Sequence, residues 1–239
     1  MRANILIVVA AHNEADRIAA TLAALALAFP DAPVWVADDG SRDTTAQIAR
    51  ASGAQVIRSE RVIGKGGAMT AAARAALEHA RTSASDESEA IYVLCDGDLA
   101  DSARELSPLL DTVVRGDGQV AVAVFAKRVG GGFGLALSFA RWAIRRRCGL
   151  ATRAPISGQR ALSQRALEDV LPFAHGYGME IGITIDAVRA GHRLVEVDLD
   201  LTHRASGRTL AGFLHRGRQL VDFARVYVAR ARNFAPPRT

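Results

Sequence analysis

Cysteine is nearly absent. The 239 residues hold two, Cys95 and Cys148, too few for a disulfide framework and without the spacing of a metal site. That usage fits a reducing compartment, so a cytoplasmic location is expected. Aromatic residues make up 5% of the chain, and the basic stretches lack interleaved stacking rings, which argues against a nucleic-acid partner. Long apolar runs are missing as well. The longest, Ile18 to Phe29, is about half of the ~20 residues that span a bilayer, so no transmembrane helix is expected. The apolar start from Asn4 to Ala10 runs straight into His12, Asn13, Glu14, Asp16 and Arg17 with no small-residue cleavage site, unlike a secretory signal.

Negative charge is missing from one whole region. Residues 127–165 hold nine basic side chains and no acidic one, and residues 202–239 hold eight arginines against the single Asp222. Residues 1–126 lean the other way, with eleven basic and seventeen acidic side chains. An acidic half suited to a cation thus precedes a basic half suited to phosphates or lipid headgroups; a merely solvated basic surface is the plainer alternative. At 49% apolar, the chain can bury one substantial core, so a single domain over 1–239 is expected, with halves 1–126 and 127–239.

Apolar runs at 4–10, 33–37, 54–58, 90–95 and 119–126 read as strands, with helical patterns between them. Ile18, Leu22, Leu25 and Phe29 share a helical face, as do Ala68, Ala72, Ala76 and Ala80. Asp43 or Thr44 caps the intervening helix, and Ser102 with Glu105 forms a capping box for another that ends near Arg115. This alternation predicts an α/β fold with a mostly parallel central sheet covered by helices on both faces. Past residue 126 come Gly130-Gly131-Gly132, an Arg/Trp-rich helix over 133–147, a helix from Gly178 to Ala190, an alternating strand from Leu194 to Leu201, and a last helix from Arg208 to Arg232. The helix over 133–147 is either interfacial, in peripheral contact with a membrane, or core-packed with snorkelling arginines.

Three short motifs follow three of the strands. Asp38-Asp39-Gly40-Ser41 sets two repelling carboxylates side by side, which calls for hydrogen-bond partners or a cation. Gly64-Lys65-Gly66-Gly67 precedes a helix; its glycines would let a phosphate approach the helix N-terminus, with Lys65 adding a point charge. Asp96-Gly97-Asp98 places two carboxylates at i, i+2, with Gly97 leaving room for a close ligand and a hard cation such as Mg²⁺ or Mn²⁺ bound between carboxylates, water and phosphate oxygens. Asn13 and Glu14, in the first strand-to-helix turn, could simply cap the helix.

In this order the motifs resemble family 2 glycosyltransferases of the GT-A fold, and among them the dolichol- or polyprenyl-phosphate mannose and glucose synthases. The likeness covers residues 4 to about 210. It implies a metal-dependent hexosyltransferase using a UDP- or GDP-sugar. Ala10, Asn13, Glu14, Asp38 and Asp39 would meet the nucleoside, although the family usually has proline and tyrosine where Ala10 and His12 stand. Lys65, Asp96, Arg204 and Arg208 would meet the diphosphate. Asp96, Asp98 and His203 would hold Mg²⁺ or Mn²⁺, Asp98 being the more direct ligand and a catalytic residue. Ser157, Gly158, Gln159 and Arg160 resemble the stretch that closes the acceptor pocket, with Gln159 in place of an aromatic. Glu180 matches the family acid near the acceptor, as a general base or as a carboxylate that orients a sugar or an arginine. The acceptor implied is phosphorylated and lipid-linked, reached at the inner face of the plasma membrane, and a homodimer is compatible. Three alternatives stay open. One is transfer to a soluble acceptor such as 3-phosphoglycerate. Another is a sugar-nucleotide nucleotidyltransferase, which would usually carry a glycine-rich, arginine-ending loop after strand one. The last is a non-catalytic, membrane-associated binding module, against which Asp96 and Asp98 argue.

Overall fold

A computed structural model describes residues 4–83, 89–125, 134–201 and 210–231. His203, Arg204 and Arg208 lie outside the described residues, as do the Gly130-Gly131-Gly132 stretch and most of the polar segment 83–89. The chain runs β1 (Ile5–Ala11), α1 (Ile18–Ala28), β2 (Val34–Asp38), α2 (Thr45–Ala51), β3 (Gln55–Arg58), α3 (Lys65–Ser83), β4 (Ile91–Asp96), a 3-10 helix (Ala100–Leu106), α4 (Ser107–Val114) and β5 (Val120–Phe125). It continues through α5 (Gly134–Cys148), β6 (Arg160–Ser163), α6 (Gln164–Val170), a 3-10 turn (Gly176–Gly178), α7 (Met179–Arg189), β7 (Leu194–Leu199) and α8 (Leu210–Ala229).

The seven strands form one sheet in the order β3-β2-β1-β4-β6-β5-β7. β6 runs antiparallel to both its neighbours, and every other pairing is parallel. Alternation along the central strands feeds two cores. Ile7, Val9, Val36, Val93 and Cys95 pack under α1 and α4, whereas Leu6, Val8, Trp35, Tyr92 and Leu94 pack under α3, α6 and α7. The four alanines spaced along α3 are all buried in the second core. A third cluster joins α5, α7 and α8 through Ile144, Ile181, Ile185 and Phe223. Among the described residues no helix is long and apolar enough to cross a membrane.

Register is what builds the site. Ala11 pairs with Asp38 and Ala10 with Asp96, so two of the three motifs leave the sheet on either side of β1 at the carboxyl edge, where open α/β sheets bind ligands. β6 enters from that same edge, Arg160 pairing with Leu94 and Val122. This antiparallel strand was not foreseen; four residues headed by an arginine carry no usable periodicity. The expected capping box is also replaced. Ser102 Oγ donates to the Leu99 carbonyl, residues 100–106 form a 3-10 helix, and the α-helix starts only at Ser107 with Pro108 in its first turn.

Candidate functional site

The turn after β1 is stitched to the turn after β2. Asn13 adopts φ 55°, in the left-handed region. Its Oδ1 accepts from the Arg42 N–H at 2.8 Å, and its own N–H donates to Ser41 Oγ at 2.9 Å. The Glu14 N–H donates to Thr45 Oγ1, and His12 Nδ1 lies 2.7 Å from the Asp39 carbonyl oxygen. The Asn13 side chain thus joins two strand ends rather than capping α1, whose N-cap position is Arg17 without a side-chain cap.

Both adjacent aspartates find protein partners. Asp38 is fully buried, accepts from the Ser41 N–H at 2.9 Å and has Arg58 Nε 3.3 Å away. Asp39 accepts from the N–H groups of Ile63 (2.7 Å) and Gly64 (2.9 Å). Asp39 therefore pins the loop that delivers Lys65. Gly40 sits at φ +64°, and a Cβ there would lie 2.8 Å from the Arg61 backbone, so the turn has room for glycine alone.

Lys65, the first residue of α3, is the hub. Its Nζ lies 2.6 Å from Asp96 Oδ1 and 2.7 Å from Glu180 Oε1; its side chain is 23% exposed and that of Glu180 8%. Burial disfavours the ammonium, but the two carboxylates outweigh it and hold the Lys65 pKa above its ordinary value. Glu180 occupies the first turn of α7, where the helix dipole also favours a carboxylate. Two of the glycines around Lys65 give room to protein backbone. A Cβ on Gly66 would overlap the Ala174 carbonyl oxygen, and one on Gly64 would lie 3.3 Å from Gly176. They let the 174–176 segment approach α3, and that approach brings Glu180 to Lys65.

Asp96 ends β4 and carries a second contact, from Gln159 Nε2 to Oδ2 at 2.8 Å. Ser157 Oγ lies 3.3 Å from Gln159 Oε1, and the Gln159 carbonyl accepts from the Ala123 N–H. Gly158 faces the cluster directly: a Cβ would stand 2.7 Å from Lys65 Nζ and 2.9 Å from Asp96 Oδ2. Ser157, Gly158 and Gln159 are thus gathered against the Lys65–Asp96 pair. Arg160 points beneath them at 1% exposure. Its Nε donates to the Ser157 carbonyl and its NH1 to Thr184 Oγ1. Burial lowers its pKa to about 10, with Glu180 and then Glu196 opposing the shift.

Gly97 does not open a space for ligand. Its N–H donates to the Ala10 carbonyl, and a Cβ would meet that oxygen at 3.0 Å and Ile18 Cδ1 at 3.1 Å. The turn is held by α1: Thr21 Oγ1 donates to the Gly97 carbonyl and accepts from the Ala100 N–H, both at 2.8 Å, and Arg17 NH1 donates to the Asp98 carbonyl. Thr21 was not anticipated, although a hydroxyl on the apolar face of α1 was the available signal. Asp96 and Asp98 remain half-buried at this edge. Their hard carboxylate oxygens, beside a point where the protein already settles the Lys65 cation, suit Mg²⁺ or Mn²⁺. Among the described residues no group of three or more His, Cys, Asp or Glu side chains could hold a metal; a cation here would complete its shell with water and ligand oxygens.

A family model described as Glycosyl transferase family 2 matches residues 6–171. The chain is 27% identical over 221 residues to an undecaprenyl-phosphate mannosyltransferase of Micrococcus luteus, covering 86% of each. Among solved structures it resembles glucosyl-3-phosphoglycerate synthase from Mycobacterium tuberculosis. In complex with Mn²⁺, UDP and glucosyl-3-phosphoglycerate, that enzyme gives a TM-score of 0.71 at 26% identity over 95% of this chain and 80% of that one. The same enzyme with Mg²⁺ and UDP gives 0.70 at 26%, over 95% and 79%.

Proposed function

The chain belongs to glycosyl transferase family 2 and has the GT-A fold, and from that premise we propose that this glycosyltransferase moves a sugar from a UDP- or GDP-sugar to a polyprenyl phosphate. The observation that carries the reading is the Asp96–Lys65–Glu180 clasp. Glu180 is mostly buried and 2.7 Å from Lys65, so it orients a cation rather than taking a proton from an acceptor hydroxyl. A phosphate acceptor is already anionic at neutral pH and needs no base. The basic second half suits such an acceptor, and the likeness to the Micrococcus luteus undecaprenyl-phosphate mannosyltransferase adds support.

In this reading the ends of β1 and β2, with Ala10, Asn13, Glu14 and Asp39, receive the nucleoside, and the fully buried Asp38 holds the turn from beneath. Lys65 meets the departing diphosphate and stabilises the charge that grows on it. Asp98 and Asp96 would hold Mg²⁺ or Mn²⁺, which when bound supplies further neutralisation of that charge. Arg204, Arg208 and His203, which follow β7 in sequence, are assigned to the diphosphate and the metal. Ser157, Gly158 and Gln159 set the acceptor against the donor sugar, which provides the proximity term, and Arg160 supports them from below. The whole chain acts as one domain, residues 1–126 for the donor and 127–239 for the acceptor.

A second reading has one observation in its favour: the solved relatives act on 3-phosphoglycerate, a soluble phosphorylated acceptor. Incubation with labelled UDP-glucose and GDP-mannose in Mn²⁺, offering polyprenyl phosphate and 3-phosphoglycerate separately, decides between them. Label in the organic phase is the expected result. Label confined to a water-soluble product of 3-phosphoglycerate would replace the lipid reading with the second.

A further inference from the structure

The outer face of the α5–α8 helix pair has no part in the site above. On α5, Ala136, Ala140, Ala143, Ile144 and Cys148 are buried, which satisfies the core-packed reading for one side of the helix. The other side is different. Trp142 is 50% exposed, and Arg145 and Arg146, at i+3 and i+4 from it, are exposed as well. Trp142 does not flop free: its ring lies 4.8 Å from Tyr227 of α8 and 5.5 Å from Phe139. Arg147 sits 3.6 Å over the Tyr227 ring. α8 adds two exposed valines two turns apart, Val221 and Val228, the latter 67% exposed, together with exposed Arg225. A half-exposed indole packed on two aromatic rings, on a helix pair that also exposes arginines and aliphatic groups, has the composition of a surface that sits at the headgroup level of a bilayer.

We infer that this face docks on an anionic phospholipid bilayer. Charge complementarity selects the occupant. α5 contains no acidic residue. The acids on the adjoining helices are already engaged, Asp186 by Arg230 and Asp222 by the Tyr177 N–H and Arg225. A second copy of the chain meeting this patch about a two-fold axis would set Arg145 and Arg146 against themselves. An anionic leaflet instead attracts each of them. The inference rests on the lipid-linked acceptor reading for its purpose, since docking would bring the enzyme to a membrane-held phosphate; the binding itself can be measured without any acceptor.

The chain has two tryptophans, and Trp35 is 1% exposed in the core, so a change in intrinsic fluorescence reports Trp142. The purified protein is mixed with vesicles of phosphatidylcholine alone or blended with phosphatidylglycerol, and flotation and emission are followed. Flotation and a blue shift with the anionic vesicles only, both weakened by salt, are expected. Arg145→Glu with Arg146→Glu should weaken flotation by about tenfold or more, and Trp142→Phe should abolish the shift. Absent flotation, or flotation indifferent to these variants, overturns the inference. So does sedimentation showing a dimer that Trp142→Ala breaks, since the face would then be a self-contact. Transfer to a short, water-soluble prenyl phosphate is assayed on the same preparations. Transfer without vesicle binding sinks the docking surface and keeps the acceptor reading; vesicle binding without transfer does the reverse.

Discussion

At the scale of single residues, the site depends on what Lys65 is allowed to touch. Its two carboxylate partners differ in kind. Asp96 closes a strand and also accepts from Gln159, whereas Glu180 meets Lys65 from the first turn of a helix. A general base and a positioning carboxylate respond differently to loss of charge. Glu180→Gln keeps a hydrogen-bond acceptor for Lys65, so transfer to a phosphate acceptor should fall by no more than about tenfold, with the pH profile unchanged. Loss of 10²–10⁴-fold together with the acidic limb of the profile would make Glu180 a base after all. Gly158 tests the same cluster sterically. A methyl at Gly158 would stand 2.7 Å from Lys65 Nζ and 2.9 Å from Asp96 Oδ2, and those atoms cannot both stay in place. Gly158→Ala should lower kcat/KM by about 10- to 100-fold, while circular dichroism shows an intact fold. Unchanged kinetics would mean that the cluster has slack the contacts do not suggest.

At the scale of elements, α1 does for Asp96-Gly97-Asp98 what the 174–176 segment does for Lys65: it holds a motif whose own residues do not fix it. Thr21 is fully buried and bridges the Gly97 carbonyl and the Ala100 N–H. Thr21→Val matches its shape but orphans both groups, at about 2–4 kcal/mol of stability by urea unfolding; it should also raise the metal concentration needed for half-maximal activity. A loss below ~0.5 kcal/mol would show that the turn re-forms without its bridge. The elements also explain what could be read from the sequence alone. β1 to β5, α1 and α3 were legible because each pairs an apolar run or a helical stripe with a neighbouring turn, and Asp38, Asp39, Lys65, Asp96 and Asp98 stand in those turns. The Lys65–Glu180 pair joins residues 115 apart, which no local pattern can announce. Nor could spacing reveal that Gly66 and Gly97 make room for protein rather than ligand. That depends on Ala174 and Ile18 arriving from elsewhere in the chain.

At the scale of the whole molecule, one sheet brings an acidic half and a basic half into contact, and the antiparallel strand β6 is the seam. Through it the 157–159 segment, from the region with no acidic residue, reaches Asp96 at the end of β4. The charges of the seam meet locally: Lys65 lies between Asp96 and Glu180, and Arg160 lies below, where Glu180 and Glu196 only partly offset its burial. A consequence follows for the metal. An acidic cleft that relied on a cation for its stability would loosen when the cation was removed, because like charges left facing each other destabilise the fold. Here Asp96 already has Lys65 at 2.6 Å, and Asp39 has two backbone donors. Treatment with EDTA should therefore abolish sugar transfer yet leave the thermal midpoint within about 2 °C. Added Mn²⁺ should raise that midpoint only when UDP or GDP is present to complete the cation's shell, by an amount that grows with nucleotide concentration. Differential scanning fluorimetry over the four combinations of chelator, metal and nucleotide reads both effects. A large destabilisation by EDTA alone would mean that the cation is structural, and Lys65 would then be its companion on Asp96 rather than its stand-in.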